Sequence, residues 1–356
     1  MVNINKFKCA ILGGTGIVGQ RFVKLLEHHP FFELSLITAS EKNNNRYYDE
    51  AVHWLLKDYI PDYVKSLKIR SFNLDIFKEK NIKVVFSALP PDIAKKQERI
   101  LAENGFAVFS NSRAYRYKED VPILIPEVNP EHIELIKNQQ QTSSGFIITN
   151  ANCSTTGLSI VLKPLLKYSI RNVFVSTYQA LSGAGYPGVS SLDINGNVIP
   201  FIEGEDEKIE FETKKILGDI KDDKIQNKNF QIIANCARVP VRDGHLESVV
   251  VDFEKEIPLS NIIESFNKFQ QIKNLPSSPI KPIILRKELD RPQPFKDVNA
   301  GEPAQAKGMA VSIGRLKKYG KKISFWLVVH NTIRGASGNS ILNAELALKK
   351  GYIRGD

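Results

Sequence analysis

A short apolar stretch, three evenly spaced glycines and a helical stretch follow one another near residue 7, and this order constrains the fold more than any other feature. Phe7 to Leu12 predicts a buried strand, and Gln20 to Leu26 has a helical period. Between them, Gly13, Gly16 and Gly19 let the backbone approach a phosphate, while the helix start supplies N–H donors. This context favours a dinucleotide-binding turn over a plain tight βα turn.

Strand-like and helical stretches continue to alternate through the first half of the chain. Strands are predicted at 32–39, 81–87 and 107–109, and a helix at 92–104. Alternation of this kind is typical of a parallel sheet whose ligand groups lie at its carboxyl edge. We therefore predict an α/β fold that contains a Rossmann-type dinucleotide-binding domain.

The end of the second predicted strand bears on which dinucleotide binds. An NAD site normally places an acidic side chain here for the ribose diol, whereas a 2′-phosphate needs hydroxyls and a cation. Ser40 and Lys42 suit the phosphate, although Glu41 lies between them. The segment therefore favours NADP over NAD.

The second half of the chain has closely spaced strands, several with a period of two. They are predicted at 173–180, 231–236, 248–253, 309–316 and 323–329. This spacing indicates a mixed or antiparallel sheet in a separate α+β domain. Residues 335–350 predict a helix, which we expect to return to the first domain.

A length of 356 residues exceeds the usual size of a single core, which favours two domains. We predict an NADP-binding domain over 1–150 and 331–356, and a catalytic and dimerisation domain over 151–330.

Composition narrows the partners and the compartment. The formal net charge is +10, but the lysines are dispersed among acids, so we expect neither nucleic acid nor a membrane as a partner. The three cysteines are too scattered for a disulfide framework or a zinc site. This predicts a cytoplasmic protein with no metal, whose positive charge helps to attract an anionic substrate.

Cys153 is the candidate nucleophile. A β-branched run leads up to Asn150, and Ser154 opens an apolar, helix-like stretch, so the sulfur is expected at a helix N-terminus. The helix dipole and backbone N–H groups there favour the thiolate and could also hold an oxyanion. The alternative is a small buried hydrophobe, as many lone cysteines are.

His245 is the candidate partner of this thiol. Of the other five histidines, His28, His29 and His132 are assigned to the surface and His53 to packing, while His330, which ends a strand near the expected cofactor side, is a minor candidate. His245 ends a predicted loop that also carries Arg238 and Arg242, although a salt-bridged hairpin would look the same. A dinucleotide domain, a thiol and this loop together point to an aldehyde or acyl phosphate processed through a thioester.

The chain resembles aspartate-semialdehyde dehydrogenase, in its archaeal and fungal-type branch, from Lys8 onward. The motifs that carry the resemblance are GGTGIVGQRF at 13–22, SALP at 87–90, IPEVN at 125–129, NANCSTTG at 150–157, QALSGAGYPG at 179–188, RVPVRDGH at 238–245, DRPQP at 290–294 and HNTIRGASG at 330–338. The resemblance implies reduction of L-4-aspartyl phosphate by NADPH to L-aspartate 4-semialdehyde and phosphate. This step leads toward lysine, threonine, methionine and isoleucine.

The resemblance also implies residue roles. Those at the reacting group and the substrate are Cys153 as nucleophile, His245 as acid–base catalyst, Gln179 to orient the thioacyl group, Arg238 for the α-carboxylate, Glu205 for the ammonium, Arg116 and Lys208 for the phosphate, and Asn111 as a further substrate contact. The implied cofactor contacts are Gly13, Thr15, Gly16, Ile17, Val18, Thr38, Ser40, Lys42, Ser87, Ala88, Leu89, Ser182, Gly183, Asn331 and Thr332. By the same resemblance we expect a homodimer formed through the second domain, with pairing into a tetramer as a further expectation.

Three other functions compete. A malonyl- or succinyl-coenzyme A reductase of the same superfamily uses the same thioester chemistry, but its substrate lacks an ammonium for Glu205. N-acetyl-glutamyl-phosphate reductase has different cysteine and histidine contexts. A non-catalytic dinucleotide sensor would not need Cys153, Gln179, Arg238 and His245, all of which are present.

Overall fold

The computed structural model describes residues 6–354, and contacts divide the chain into two compact units. The first unit runs to Leu124 and adds Glu131–Asn150 and the segment from Ser337 onward, while the second comprises Ile125–Pro130 and Ala151–Ala336. One unit boundary falls between residues 150 and 151, where the sequence suggested a domain break. Residues 331–336, which we grouped with the first domain, lie in the second unit.

The first unit is built on a sheet of five parallel strands. These are β1 (Phe7–Leu12), β2 (Phe32–Thr38), β3 (Val84–Ser87), β4 (Ala107–Ser110) and β5 (Phe146–Thr149). The helices between them are α1 (Ile17–Leu26), α2 (Tyr48–Ala51), α3 (Asp62–Lys65), α4 (Leu74–Glu79), α5 (Pro91–Glu103) and α6 (Ile136–Gln139). The spatial order β2-β1-β3-β4-β5 places the change of direction between β1 and β3, where the loops after these strands form a crevice in folds of this type.

The second unit contains a six-stranded mixed sheet and a small hairpin. Its strands are β6 (Ile170–Gln179), β7 (Asp219–Lys221), β8 (Lys224–Gln226), β9 (Gln231–Arg238), β10 (His245–Phe253), β11 (Ile283–Leu285), β12 (Val311–Tyr319) and β13 (Lys322–Val329). Its helices are α7 (Cys153–Leu162), α8 (Ser191–Ile194), α9 (Glu205–Ile216), α10 (Leu259–Lys268) and α11 (Pro294–Asp297). The order of the main sheet is β11-β12-β13-β10-β6-β9. Within it, β6 and β9 are parallel, whereas β10 is antiparallel to β6.

Alternation along these strands gives the large sheet a buried and a partly exposed face. On β6, Val173, Val175, Thr177 and Gln179 are buried, while the residues between them are more exposed. Helices α7 and α9 pack on the buried face. Gly157 of α7 makes this approach possible, because an added Cβ would lie 2.9 Å from Val329 Cγ1.

The last helix, α12 (Gly338–Lys349), belongs to the first unit, where it packs against β3, β4 and α1. The predicted return of this segment is confirmed, but its start at residue 335 is wrong. A wide turn covers Ile333–Ser337, and Ala336 has φ −153° and ψ −106°, which no helix contains.

The remaining sequence errors concern element ends and histidine burial. The strand predicted from residue 81 starts at Val84, because Asn81 has a φ of 51° and forms a turn. His29 and His132, which we assigned to the surface, are both buried, and His29 Nε2 lies 2.9 Å from Glu345 Oε1. Among residues 6–354, no helix is long and apolar enough to cross a membrane.

Candidate active site

Three strand ends bring the predicted second-domain residues to one edge of the mixed sheet. Because β6 and β9 run parallel, Gln179 and Arg238 lie side by side at their ends. Strand β10 runs the opposite way, so His245 at its start lies at the same edge. The alternative of a β9–β10 hairpin is wrong, since β6 lies between these strands.

Cys153 is the first residue of α7, so the predicted helix start is confirmed. Asn152 caps this helix, since its Oδ1 accepts hydrogen bonds from the N–H groups of Ser154 and Thr155 at 3.0 and 3.2 Å. Gly335 packs against this cysteine so closely that an added Cβ would lie 2.6 Å from Cys153 Cβ. The position of Cys153 is thus restricted by the Asn152 helix cap and by the close backbone of Gly335.

The thiol and the imidazole are in direct contact. Cys153 Sγ lies 3.0 Å from His245 Nε2, and the Ala180 N–H donates to His245 Nδ1 at 3.0 Å. Burial, reinforced by the positive charge of Arg238, lowers the pKa of His245 to about 3. His245 is therefore neutral at physiological pH.

Glu205 connects the remaining predicted residues. Its Oε1 accepts from Asn152 Nδ2 at 2.7 Å and from Gln179 Nε2 at 3.0 Å, and its Oε2 accepts from Lys208 Nζ at 3.1 Å. Burial by itself would raise the pKa of Glu205, but Lys208 and the amide donors outweigh it and lower the pKa. The result is a buried, ionised carboxylate that is hydrogen-bonded to Asn152, the residue before Cys153.

Arg238 supplies a cation at the same edge. Its Nη1 donates to the Ala180 carbonyl at 2.8 Å, and an added Cβ on Gly183 would lie 2.9 Å from that nitrogen and 3.1 Å from His245 Cε1. The glycine-rich loop after β6 therefore approaches both side chains. Glycine at position 183 permits this close approach, because any side chain there would collide with Arg238 and His245.

Sequence reasoning missed Asn152 and Glu212 as parts of this site. Glu212 is fully buried on α9, and its Oε2 accepts from the Asn152 N–H at 2.6 Å. Glu205 and Glu212 lie two turns apart on α9, so both reach the start of α7. That spacing is the one signal in the sequence that could have indicated the pair.

Glu247 is a fully buried acid on β10, two residues after His245. It lies opposite Thr177 of β6, and neither of its carboxyl oxygens has a hydrogen-bond partner among the described residues. Burial, together with the charge of Glu205, raises the pKa of Glu247 well above its ordinary value.

Replacing Glu247 should therefore change how stability depends on pH. A raised pKa in the folded state contributes stability at low pH that is lost as the pH rises. We expect Glu247→Gln to increase the free energy of unfolding by about 1–3 kcal/mol at pH 8, and by less at pH 4. Urea unfolding at both pH values measures this, with the exposed Glu264→Gln as control. An equal difference at pH 4 and pH 8 would contradict a raised pKa of Glu247.

The predicted cofactor residues of the first unit gather after β1, β2 and β3. The N–H groups of Gly13 and Gly14 donate to the Thr38 carbonyl at 3.0 and 3.1 Å, and an added Cβ on Gly13 would lie 2.8 Å from the Ala88 oxygen. Gly16 begins α1 with no side-chain cap and no acid in the first turn. This open, glycine-lined helix start fits a pyrophosphate. The other predicted contacts lie in these loops or in the strand and helix ends that border them, and they are Thr15, Ile17, Val18, Ser40, Lys42, Ser87 and Leu89.

Asn111 and Arg116 lie together at the carboxyl edge of the parallel sheet. Arg116 Nη2 donates to the Asn111 carbonyl at 2.9 Å, and Asn111 Nδ2 donates to the Ser87 carbonyl at 2.9 Å. Asn150 Nδ2 donates to Asn111 Oδ1 at 2.8 Å. The predicted substrate residues of the first unit are thus held in an amide network.

The remaining predicted cofactor residues lie in the second unit. Asn331 Nδ2 donates to Ser182 Oγ at 2.8 Å, and Asn331 Oδ1 accepts from the Gly244 N–H at 2.9 Å. Asn331 and Thr332 are both buried. Asn331 therefore ties the loop after β6 to the residue that precedes His245.

Comparisons with known proteins agree with this geometry. Family sequence models for the semialdehyde dehydrogenase NAD binding domain and dimerisation domain match residues 8–136 and 162–334. The aspartate-semialdehyde dehydrogenase of Archaeoglobus fulgidus is 45% identical over 351 residues, covering 98% of this chain and 100% of the relative. The malonyl CoA reductase (NADP) of Metallosphaera sedula is 37% identical over 356 residues, covering 97% and 98%. A crystal structure of aspartate semialdehyde dehydrogenase with NADP from Candida albicans has a TM-score of 0.87 at 34% identity, covering 98% and 100%.

The dinucleotide-binding fold and the contact between a thiol and an imidazole are typical of nicotinamide-dependent dehydrogenases that work through a cysteine adduct. Both domain families, together with aspartate-semialdehyde dehydrogenases that are 45% and 43% identical to this chain, narrow this class further. The chain belongs to the aspartate-semialdehyde dehydrogenase family, and the predicted NADP-dependent activity and fold class are confirmed.

Proposed function

We propose that the cluster around Cys153 carries out the reduction of L-4-aspartyl phosphate to L-aspartate 4-semialdehyde. The observation that carries this proposal is the 3.0 Å contact between Cys153 Sγ and His245 Nε2, beside the buried carboxylate of Glu205. A nucleophile, a hydrogen-bonding imidazole and an anionic recognition group are the parts that a thioester reaction on an amino-acid substrate requires.

The reaction divides into two displacements at the substrate carbonyl carbon. The Cys153 thiolate attacks this carbon, a C–S bond forms, and the C–O bond to phosphate breaks. The N-terminus of α7 and the His245 ring stabilise the charged species at this position. When bound, NADPH supplies the hydride that reduces the thioester. The C–S bond then breaks, releasing the aldehyde and regenerating the thiolate.

Charge complementarity supports an amino-acid substrate over an acyl-coenzyme A. The Arg238 guanidinium suits an α-carboxylate, and the Glu205 carboxylate suits an ammonium group. Gln179, held against Glu205, would orient the thioacyl group. Malonyl- and succinyl-coenzyme A carry no ammonium, so with either of them the buried Glu205 carboxylate would have Lys208 as its cation but no substrate ammonium. Lys208 and Arg116, with Asn111, would receive the phosphate.

The glycine-lined start of α1 would bind the pyrophosphate of NADP. Gly13, Gly16 and the start of α1 would hold it through backbone N–H groups. Ser40 and Lys42, both exposed after β2, would meet the 2′-phosphate. Ser182, Gly183, Asn331 and Thr332 remain predicted contacts of the nicotinamide end.

A comparison of substrates tests the proposed reaction. NADP reduction is measured with aspartate semialdehyde and phosphate, and NADPH oxidation with malonyl- and succinyl-coenzyme A. We expect kcat/KM for aspartate semialdehyde to exceed that for either thioester at least about 1,000-fold. With a coenzyme A thioester bound, the polar groups that recognise the substrate would lack partners. Faster turnover of malonyl-coenzyme A would overturn the substrate assignment.

The exposed face of the mixed sheet suits a homodimer, as expected for a chain that matches a dimerisation domain. Ile233, Phe174 and Val250 form a cross-strand apolar row, and Tyr178 stacks on Trp326 beside it at 5.7 Å. A second copy covering this row would remove it from water. Pairing of dimers into a tetramer and a cytoplasmic location remain predictions from the sequence.

Phe174→Arg tests this interface. A buried, unpaired arginine at the centre of the row should convert dimer to monomer, which sedimentation velocity detects as half the particle mass. Ile263→Arg on α10 is the matched control, since Ile263 and Phe174 are each 38% exposed. An unchanged dimer in Phe174→Arg, or dissociation in Ile263→Arg, would place the interface elsewhere.

A further inference from the structure

The two ring nitrogens of His245 have different partners, and this difference determines which nitrogen carries the proton. The Ala180 N–H donates to Nδ1 at 3.0 Å, and a nitrogen that accepts a hydrogen bond carries no proton. Nε2 lies 3.0 Å from Cys153 Sγ. A neutral imidazole has one N–H, so its proton is on Nε2 and points toward the sulfur.

The backbone around Ala180 is held on both sides. Its carbonyl accepts from Arg238 Nη1 at 2.8 Å, and the Leu181 N–H donates to the Val241 carbonyl at 2.7 Å. The Val239 N–H donates to the Gln179 carbonyl at 3.0 Å. The Ala180 N–H therefore cannot turn away from the imidazole without breaking the hydrogen bonds between the segment that follows β6 and the segment that follows β9.

We propose that the Ala180 N–H is a positioning group that keeps His245 neutral, with its proton on Nε2, throughout the reaction. An imidazolium would direct a second N–H at the Ala180 N–H, which is repulsive. The charged groups that face the ring are Arg238 from the end of β9 and Glu205 from α9, with Cys153 on the third side. His245 thus serves as a hydrogen-bond donor to the sulfur and to the oxyanion, and it does not take the thiol proton. This role replaces the acid–base role that the family resemblance implies for His245.

This inference rests on the proposed function and deepens it, and the chemistry balances without an imidazolium. When the thiolate displaces phosphate, the proton consumed in the overall reaction comes from water and ends on the released phosphate. When the reduced adduct collapses, the oxyanion becomes the aldehyde carbonyl, the C–S bond breaks, and the electron pair returns to sulfur. His245 neither gains nor loses a proton in either step.

Nitrogen NMR of the enzyme labelled with ¹⁵N-histidine tests the tautomer directly. The His245 signals are those missing from the spectrum of His245→Gln. We expect a pyridine-type Nδ1 and a pyrrole-type Nε2 at every pH at which Cys153 is ionised. A protonated Nδ1 in that range, in either the other tautomer or an imidazolium, would overturn the inference.

Alkylation of Cys153 by iodoacetamide provides a second readout. Because Gln also offers an N–H, His245→Gln should shift the pH midpoint of alkylation by less than about one unit. A thiolate–imidazolium pair predicts a larger shift, toward the free-cysteine value of about 8.5. A large shift would therefore contradict the proposal.

Replacing the Ala180 amide by an ester removes the N–H without adding bulk. The Nδ1–H tautomer should then become populated in the NMR spectrum, whereas an unchanged spectrum would show that another group sets the tautomer.

Failure of this inference can be distinguished from failure of the proposed function. A protonated Nδ1 in an enzyme that reduces aspartyl phosphate would remove only the inference. An inactive enzyme with a pyrrole-type Nε2 would remove only the substrate assignment.

Discussion

Cys153→Ala is expected to abolish reduction of aspartyl phosphate while leaving NADPH binding intact. The variant lacks the sulfur that forms the thioester, and loss of a catalytic nucleophile costs about 10⁴-fold or more in kcat. NADPH binding should persist because the glycine-lined turn after β1 lies in the first unit, whereas Cys153 lies in the second. Steady-state assays and fluorescence titration with NADPH measure the two properties.

Cys9→Ala is the matched control for this variant. Cys9 is a buried residue of β1, so its replacement removes a thiol from the core without touching the thiol–imidazole pair. Its kcat should stay near that of the wild type. Substantial turnover by Cys153→Ala would refute the covalent role of this residue.

Arg238→Leu should have the second-largest effect, mainly through KM. Loss of one partner from a buried, hydrogen-bonded charge pair costs about 2–5 kcal/mol, which corresponds to roughly 30- to 4,000-fold in kcat/KM. The substitution also deprives the Ala180 carbonyl of its donor at 2.8 Å, so a smaller fall in kcat is expected. Initial rates over a range of substrate concentrations separate the two parameters.

Arg242→Leu provides the control, because Arg242 lies in the same loop with its side chain 57% exposed. Its kinetic constants should change little. If the two leucine variants behaved alike, Arg238 would act through loop structure or general charge, and the carboxylate clamp would be wrong.

Local sequence patterns were sufficient to predict the dinucleotide-binding turn and the start of α7. The strand, glycine turn and helix near residue 7 form one continuous segment, and β1 and α1 are found where that pattern indicated. The start of α7 is equally local, because Asn152 caps the helix through the N–H groups of the next residues. Interactions between near neighbours in the chain leave a readable pattern.

Contacts between distant segments left no such pattern. The Asn152 side chain reaches Glu205 across 53 positions, and its N–H reaches Glu212 across 60. Strands β9 and β10 follow each other in sequence, yet β6 separates them in the sheet. Because such pairings depend on the assembled fold, reasoning from the sequence missed Asn152 and Glu212.

The structure distinguishes Glu205 from the neighbouring acidic residues. Its acidic run contains Glu203, Glu205 and Glu207, and composition does not distinguish them. Glu205 is buried at the start of α9, whereas the other two are exposed: Glu203 precedes the helix, and within it Glu205, not Glu207, faces the start of α7.

A burst experiment tests the thioester most directly. Mixing the enzyme with aspartate semialdehyde and NADP, without phosphate, should release one equivalent of NADPH per subunit and then stop, because the acyl group remains on sulfur. Mass spectrometry should then find the aspartyl adduct on the peptide that contains Cys153, and added phosphate should restart turnover. The absence of a burst, or an adduct on any other residue, would contradict the account.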